Sequence, residues 1–292
     1  MSARTAINIG KESTREFWHR YQKNRAAVVG LVFMSFLCFF AVLAPIIAPY
    51  SLTDVSGVPR SPPSHEHLFG TDELGKDTLT GVIWGSRISL LVGVLAAGFS
   101  TIMGMLVGIL AGYYGGVIDD FLMRVTEVIM VIPIFIVAVL VIAFFGTSVL
   151  NTVMVIAVLL WPGTARVARS EFLRLKSVGF VESAKSIGVS NRDIIFKEIL
   201  PNAMGPIIVS WTLDVGFAIL LEAGLSFIGL GDINFPSWGF MLRKSMTFLS
   251  QAWWMSFFPG FAIFLVVYAF NLVGDGLNDA LSPKLERLEE SG

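Results

Sequence analysis

The sequence predicts an all-α membrane protein with six bilayer-crossing helices, and three observations carry that reading. Of its 292 residues, 54% are hydrophobic and 15% charged, and the mean hydropathy is +0.73. Such a balance excludes an ordinary soluble domain. Six apolar runs punctuate the chain, each close to the roughly 20 residues that a spanning helix needs. The 21 Lys and Arg are shared unevenly between the intervals that separate those runs.

The runs fall at Ala27–Ala48, Ile88–Gly112, Val125–Phe145, Thr147–Ala168, Pro206–Leu230 and Trp253–Gly274. Only Gly146 and its neighbours separate the third from the fourth, which predicts a tight hairpin. Pro133 and Pro162 are expected to kink their helices. With the N-terminus inside, the inner segments hold 16 of the 21 Lys and Arg and the outer ones five: Arg60, Lys76, Arg87, Arg243 and Lys244. The excess of positive charge places both termini in the cytoplasm. The first 25 residues are polar and lead into a run too long for a signal-peptide core, so no cleavable signal is expected. Arg4, Lys11, Arg15, Arg20, Lys23 and Arg25, interleaved with Phe17, Trp18 and Tyr21, suit either a helix at the membrane surface or a solvated tail. Trp238, Trp253 and Trp254 suit an interfacial aromatic belt.

Within the second run, Gly104, Gly108 and Gly112 recur every four residues, a spacing that lets a neighbouring helix approach closely. The net charge of −1 gives no basic surface for nucleic acid. Cys38, the lone cysteine, allows no disulfide within the chain and reads as a small hydrophobe. Gly70–Asp77 approaches a nucleotide-binding P-loop, but Asp77 stands where Ser or Thr would hold magnesium, and the segment lies outside by the charge count. The histidines of His65-Glu66-His67 project divergently and read as loop residues in water rather than metal ligands. No nucleophile, base and orienting group appear together.

Two acids lie within the fifth run, Asp214 and Glu222. A charge at membrane depth is costly and tends to face a bundle interior or a water-filled cavity. Either acid would line a solute path or be hydrogen-bonded between helices; Glu222, nearer the outer end, leans to the second role.

The polar stretch Ser170–Pro201 holds five Lys and Arg: Arg174, Lys176, Lys185, Arg192 and Lys197. Leu173, Phe180, Ala184 and Ile187 fall on one helical face. Gly188 breaks the helix, Ser190 with Asp193 caps a second, shorter one, and Pro201 and Pro206 are expected to close the unit. A helix, a glycine corner and a short helix fixed at both ends make a rigid handle.

Glu182-Ser183-Ala184, then Gly188, then Leu200-Pro201 resemble the cytoplasmic loop of ABC importer permeases. Ser183 replaces an Ala of that pattern, and Glu198 stands where Ile is usual. Lys23–Ala27, LFGTDELGKD at 68–77, Gly85–Leu90, LSFIGLG at 225–231, Pro236–Gly239 and Gly274–Lys284 are similar to the second permease subunit of peptide and nickel importers. The resemblance implies a type I ABC importer permease fold in a prokaryotic cytoplasmic membrane. Its divisions would be an N-terminal segment 1–26, a first span 27–48, an extracytoplasmic loop 49–87, a core 88–285 with the coupling loop 170–201, and a tail 286–292. It also implies a homologous permease partner, two ATPase subunits that carry ATP and Mg, and an extracytoplasmic solute-binding protein, with lipid around the spans. This chain itself would hold no cofactor and hydrolyse nothing. The short helix after Gly188 would seat in an ATPase, and Asp72, Asp77, Arg87 and Trp238 would face the binding protein. Peptide is favoured over nickel because none of the three histidines lies in a span. A stand-alone secondary transporter would leave the handle unexplained, and a membrane hydrolase would lack its catalytic set.

Overall fold

The computed structural model describes residues 17–281. Five helices are long and apolar enough to cross a bilayer, and a bent pair brings the count to six where its two halves are taken as one span. We label α1 (Arg25–Val42), α2 (Thr78–Tyr114), the bent pair α3 (Gly116–Val131) and α4 (Ile134–Phe145), α5 (Val149–Lys176), the short α6 (Gly179–Ser186), α7 (Leu200–Leu225), α8 (Trp238–Ser245) and α9 (Trp254–Leu281). Among the described residues there is no strand, only an isolated bridge between Thr71 and Asp77.

Five of the predicted spans appear as single helices and the third as the bent pair, with boundaries that shift for identifiable reasons. α2 starts at Thr78 rather than Ile88, because Asp77 caps it by accepting from the Thr80 amide at 2.7 Å. The connecting loop therefore ends at Asp77, not at residue 87. The third span is not continuous: its halves meet at 84°. Ile132, forced into extended backbone before Pro133, ends α3, and Pro133 opens α4. α9 runs seven residues past the predicted end at Gly274.

The fifth span corrects the expectation that Pro201 and Pro206 close the handle. The helical stretch that starts at Asn191 continues through both prolines, and the backbone first leaves helical values at Gly229, where φ is +99°. A π-turn at Ile194–Ile199 precedes Pro201, which sits in the first turn of α7. There a proline lacks only an amide that the wider turn leaves free. The handle is thus the root of a spanning helix.

α2 lies along α5, α7 along α9, and α1 along the outside of α9. The glycine stripe sets the α2–α5 contact: a Cβ on Gly104, Gly108 or Gly112 would come within 2.5–2.7 Å of Trp161 O, Ala165 O or Phe172 Cβ. α1 carries Cys38, which is exposed. Of the expected aromatic belt, Trp253 is exposed, but Trp238 and Trp254 are buried because their indole N–H groups donate to Val82 O and Thr71 O. Tyr21 is likewise buried, packed with Ala27 and Ala280 at the end of α9. The aromatic N-terminal stretch is therefore docked on the bundle from Tyr21 onward. Arg4, Lys11, Arg15, Lys284, Arg287 and the tail 286–292 lie outside the described residues.

Candidate functional site

The handle is built from the end of α5 forward. α5 ends at Lys176, and α6 ends in a Schellman turn. The Gly188 amide donates to Lys185 O and the Val189 amide to Ala184 O, at 3.0 and 3.1 Å, with Gly188 at φ +79°. Ser190 then caps the next turn as expected. Its Oγ accepts from the Asp193 amide at 3.2 Å and donates to the Asp193 carboxylate at 2.8 Å, while Lys197 pairs with Asp193 at 2.5 Å. Lys197, and after it Ser190, holds the Asp193 carboxyl below its ordinary value.

An apolar cluster fixes this corner to the bundle. Val181, Ile194, Ile195 and Ile199 pack on Phe172 and Leu175 of α5 and on Ile109 and Tyr113 of α2. Tyr113 adds a polar tether: its hydroxyl donates to Asn191 Oδ1 at 2.7 Å, and its carbonyl accepts from Lys176 Nζ at 2.5 Å. The apolar face expected of Leu173, Phe180, Ala184 and Ile187 along one helix is not the face that packs on the bundle. Leu173, Phe180 and Ile187 are exposed, Ile187 at 81%, because the break at Ser177 rotates α6 so that Val181 points inward. Ala184 and Leu200 are half-buried, and Glu182 and Pro201 exposed. Phe196 is also exposed, at 52%. A well-anchored corner therefore presents Ile187 and Phe196 outward.

Asp119 of α3 and Arg169 of α5 form a two-pronged ion pair at 2.5 and 2.6 Å. Tyr113, Asn191 and this pair escaped the sequence reading, since partners 50 and 78 residues apart leave no local signature.

The two intramembrane acids part company. Glu222 is buried and accepts from Ser226 Oγ at 2.6 Å and Ser89 Oγ at 3.4 Å. Ser89 Oγ in turn accepts from the Trp238 amide at 3.3 Å, so Glu222 joins α2, α7 and α8. Asp214 is half-buried and accepts one hydrogen bond, from Thr164 Oγ1 of α5 at 3.0 Å.

At the opposite end of the bundle from the handle, the loop before α2 is folded rather than open. His67, expected in water, is buried, and its Nδ1 lies 3.0 Å from Asp77 Oδ1. Thr71 Oγ1 donates to Val58 O at 2.6 Å, and Phe69 stacks on Phe258 at 3.8 Å. Two of the four residues expected to face a binding protein are thereby withdrawn: Asp77 and Trp238 are buried, spent on capping α2 and on locking α8 to it. Asp72 closes its own turn, accepting from the Leu74 and Lys76 amides, each at 2.8 Å, and burial raises its carboxyl above the ordinary value. Arg87 is exposed but stands within α2, its guanidinium 5.2 Å from the Trp84 ring.

A bundle of bent and straight spans with a rigid corner at one end is the architecture of a transporter's membrane subunit. Residues 104–287 match the family described as the binding-protein-dependent transport system inner membrane component, and residues 13–63 match the N-terminal transmembrane domain of oligopeptide transport permease C. The chain belongs to this family of ABC importer permeases and is a multi-pass inner-membrane protein. It is 44% identical to the dipeptide transport system permease protein of Bacillus subtilis (strain 168), over 94% of this chain and 87% of that one. It is 38% identical to a glutathione transport system permease protein of Pectobacterium atrosepticum, covering 93% and 91%. Its fold resembles an inward-facing MetNI methionine ABC transporter, with a TM-score of 0.57 at 18% identity over 69% of this chain and 96% of that one.

Proposed function

We propose that this chain is the membrane half-channel of an ATP-driven importer of short peptides. It works beside a homologous permease, is driven by two separate ATPase subunits, and is supplied by a solute-binding protein on the outer face. The handle would lie in the cytoplasm. The observation that carries the reading is its construction: Ile187 and Phe196 project from a corner whose other side is buried against α2 and α5. Exposed apolar side chains on a stiff mount make a docking knob that transmits displacement. Relatives named for peptide transport, matched nearly end to end, supply the substrate class. The chain's own role is mechanical, so ATP and Mg belong to the partners.

Ile187→Asp tests this. The side chain is 81% exposed, so the permease should fold and insert normally while recovery of ATPase subunits on purification falls by at least tenfold. Unchanged recovery would refute the docking role.

A further inference from the structure

We propose that Asp214, oriented by Thr164, is the point in the translocation path that holds the protonated amino terminus of the passing peptide. This rests on the peptide-import reading and deepens it.

Asp214 is a carboxylate with capacity to spare. Its Oδ2 takes the Thr164 hydroxyl at 3.0 Å. Among the described residues, no other donor bonds it, and no Lys, Arg or His pairs with it. Glu222, two turns further along α7, is by contrast buried and accepts from two serines. A half-buried acid whose open side faced lipid would be costly. Asp214 lies only about 6 Å along the axis from the centre of its apolar run, at 1.5 Å per residue, the depth at which transport sites are built. Its open side therefore belongs to a solute-accessible or protein-lined space.

The surroundings suit one end of a peptide. Trp211, one turn away, borders a cavity of about 500 Å³ between α2 and α7 that Leu95, Gly98, Thr101 and Ile208 also line. Gly98 has nothing within 4 Å of the place a Cβ would take. The cavity wall is apolar. An open carboxylate one helical turn from the edge of an apolar recess suits an ammonium and the side chain next to it. An inorganic cation would need further oxygen ligands, and among the described residues no three acids, histidines or cysteines gather. The contact is one charge-assisted hydrogen bond in a low dielectric.

The test uses the assembled transporter in proteoliposomes, with the dipeptide Leu-Leu as probe and saturating loaded binding protein. Peptide uptake and ATP hydrolysis are read together. Asp214→Asn should cut uptake about tenfold, the size of one charge-assisted hydrogen bond, while ATP hydrolysis stimulated by the loaded binding protein stays at the wild-type rate. Asp214→Glu should restore most of the uptake. Thr164→Val, which removes only the orienting hydroxyl, should fall between. Uptake unchanged in Asp214→Asn, or uptake and ATP hydrolysis falling together in both Asp214 variants, would overturn the assignment. If the wild-type assembly shows no ATP hydrolysis in response to loaded binding protein, the importer reading fails instead, a result independent of Asp214.

Discussion

Adding one methyl group to the glycine stripe of α2 should separate two kinds of glycine by sign. A Cβ on Gly108 would sit 2.5 Å from Ala165 O, 2.6 Å from Ala168 Cβ and 2.9 Å from the Arg169 amide nitrogen, where ordinary contact begins at 3.4 Å. Two of those three atoms are backbone, and the Asp119–Arg169 ion pair holds α5 in place, so no side chain can swing aside. The helices must part by nearly 1 Å, forfeiting about a quarter to a half of the dispersion at each affected contact. Gly98, on the same helix, meets nothing within 4 Å. Both glycine-to-alanine changes carry the same helix-propensity gain of up to about 1 kcal/mol, so the difference between Gly108→Ala and Gly98→Ala isolates the packing penalty. Overpacking of this kind costs about 1–3 kcal/mol. At about 2–4 °C per kcal/mol for a chain near this size, Gly108→Ala should melt roughly 2–12 °C below Gly98→Ala in detergent, followed by tryptophan fluorescence. Gly98→Ala melting at or below Gly108→Ala would show that the stripe does not set the α2–α5 distance.

Asp77→Ala removes the cap of α2 and the partner of buried His67; it should destabilise by about 1–2 kcal/mol and open the 48–77 loop to protease, and an intact loop would contradict the capping role. Tyr113→Phe deletes the 2.7 Å tether to Asn191, so amide exchange at residues 191–193 should quicken while the melting temperature hardly moves; unchanged exchange would mean the apolar cluster alone holds the handle. The Asp193 carboxyl is held below its ordinary 3.8. Its contribution to the handle is therefore present above pH 3.8 and lost as pH falls through the lower folded value. Amide exchange across residues 190–197 should rise in that acid window, and Asp193→Asn should abolish the pH dependence.

How far the sequence discloses this molecule depends on whether a feature is local. Spans, the glycine stripe, the Gly188 corner and the Ser190–Asp193 cap are each specified within a few residues, and each appears where its pattern puts it. Helix ends resist such reading. A membrane-span pattern counts apolar residues, whereas α2 begins at a cap eleven residues before its apolar run, and Pro201 is absorbed by a π-turn rather than stopping a helix. The site is less legible still, because exposure is a property of packing. Asp77 and Trp238 are polar or amphipathic residues in an outer loop, which looks like a binding surface in one dimension. In three dimensions Asp77 is needed to end a loop and Trp238 to lock α8 on α2, and neither remains available. The same logic separates the two acids of α7. From sequence, Asp214 and Glu222 are two charges in one span, and only the position of Glu222 nearer the outer end hints at a different role. Ser89, 133 residues away, helps to satisfy Glu222, while Thr164 leaves one Asp214 oxygen open. A buried acid whose bonding is complete holds helices together; one whose bonding is incomplete costs stability until a ligand completes it. That difference assigns Glu222 to the scaffold and Asp214 to the solute. On these grounds Glu222→Gln should lower the yield of folded permease while sparing uptake per folded molecule, the reverse of the Asp214→Asn pattern. Equal effects of the two changes on uptake per folded molecule would remove the distinction.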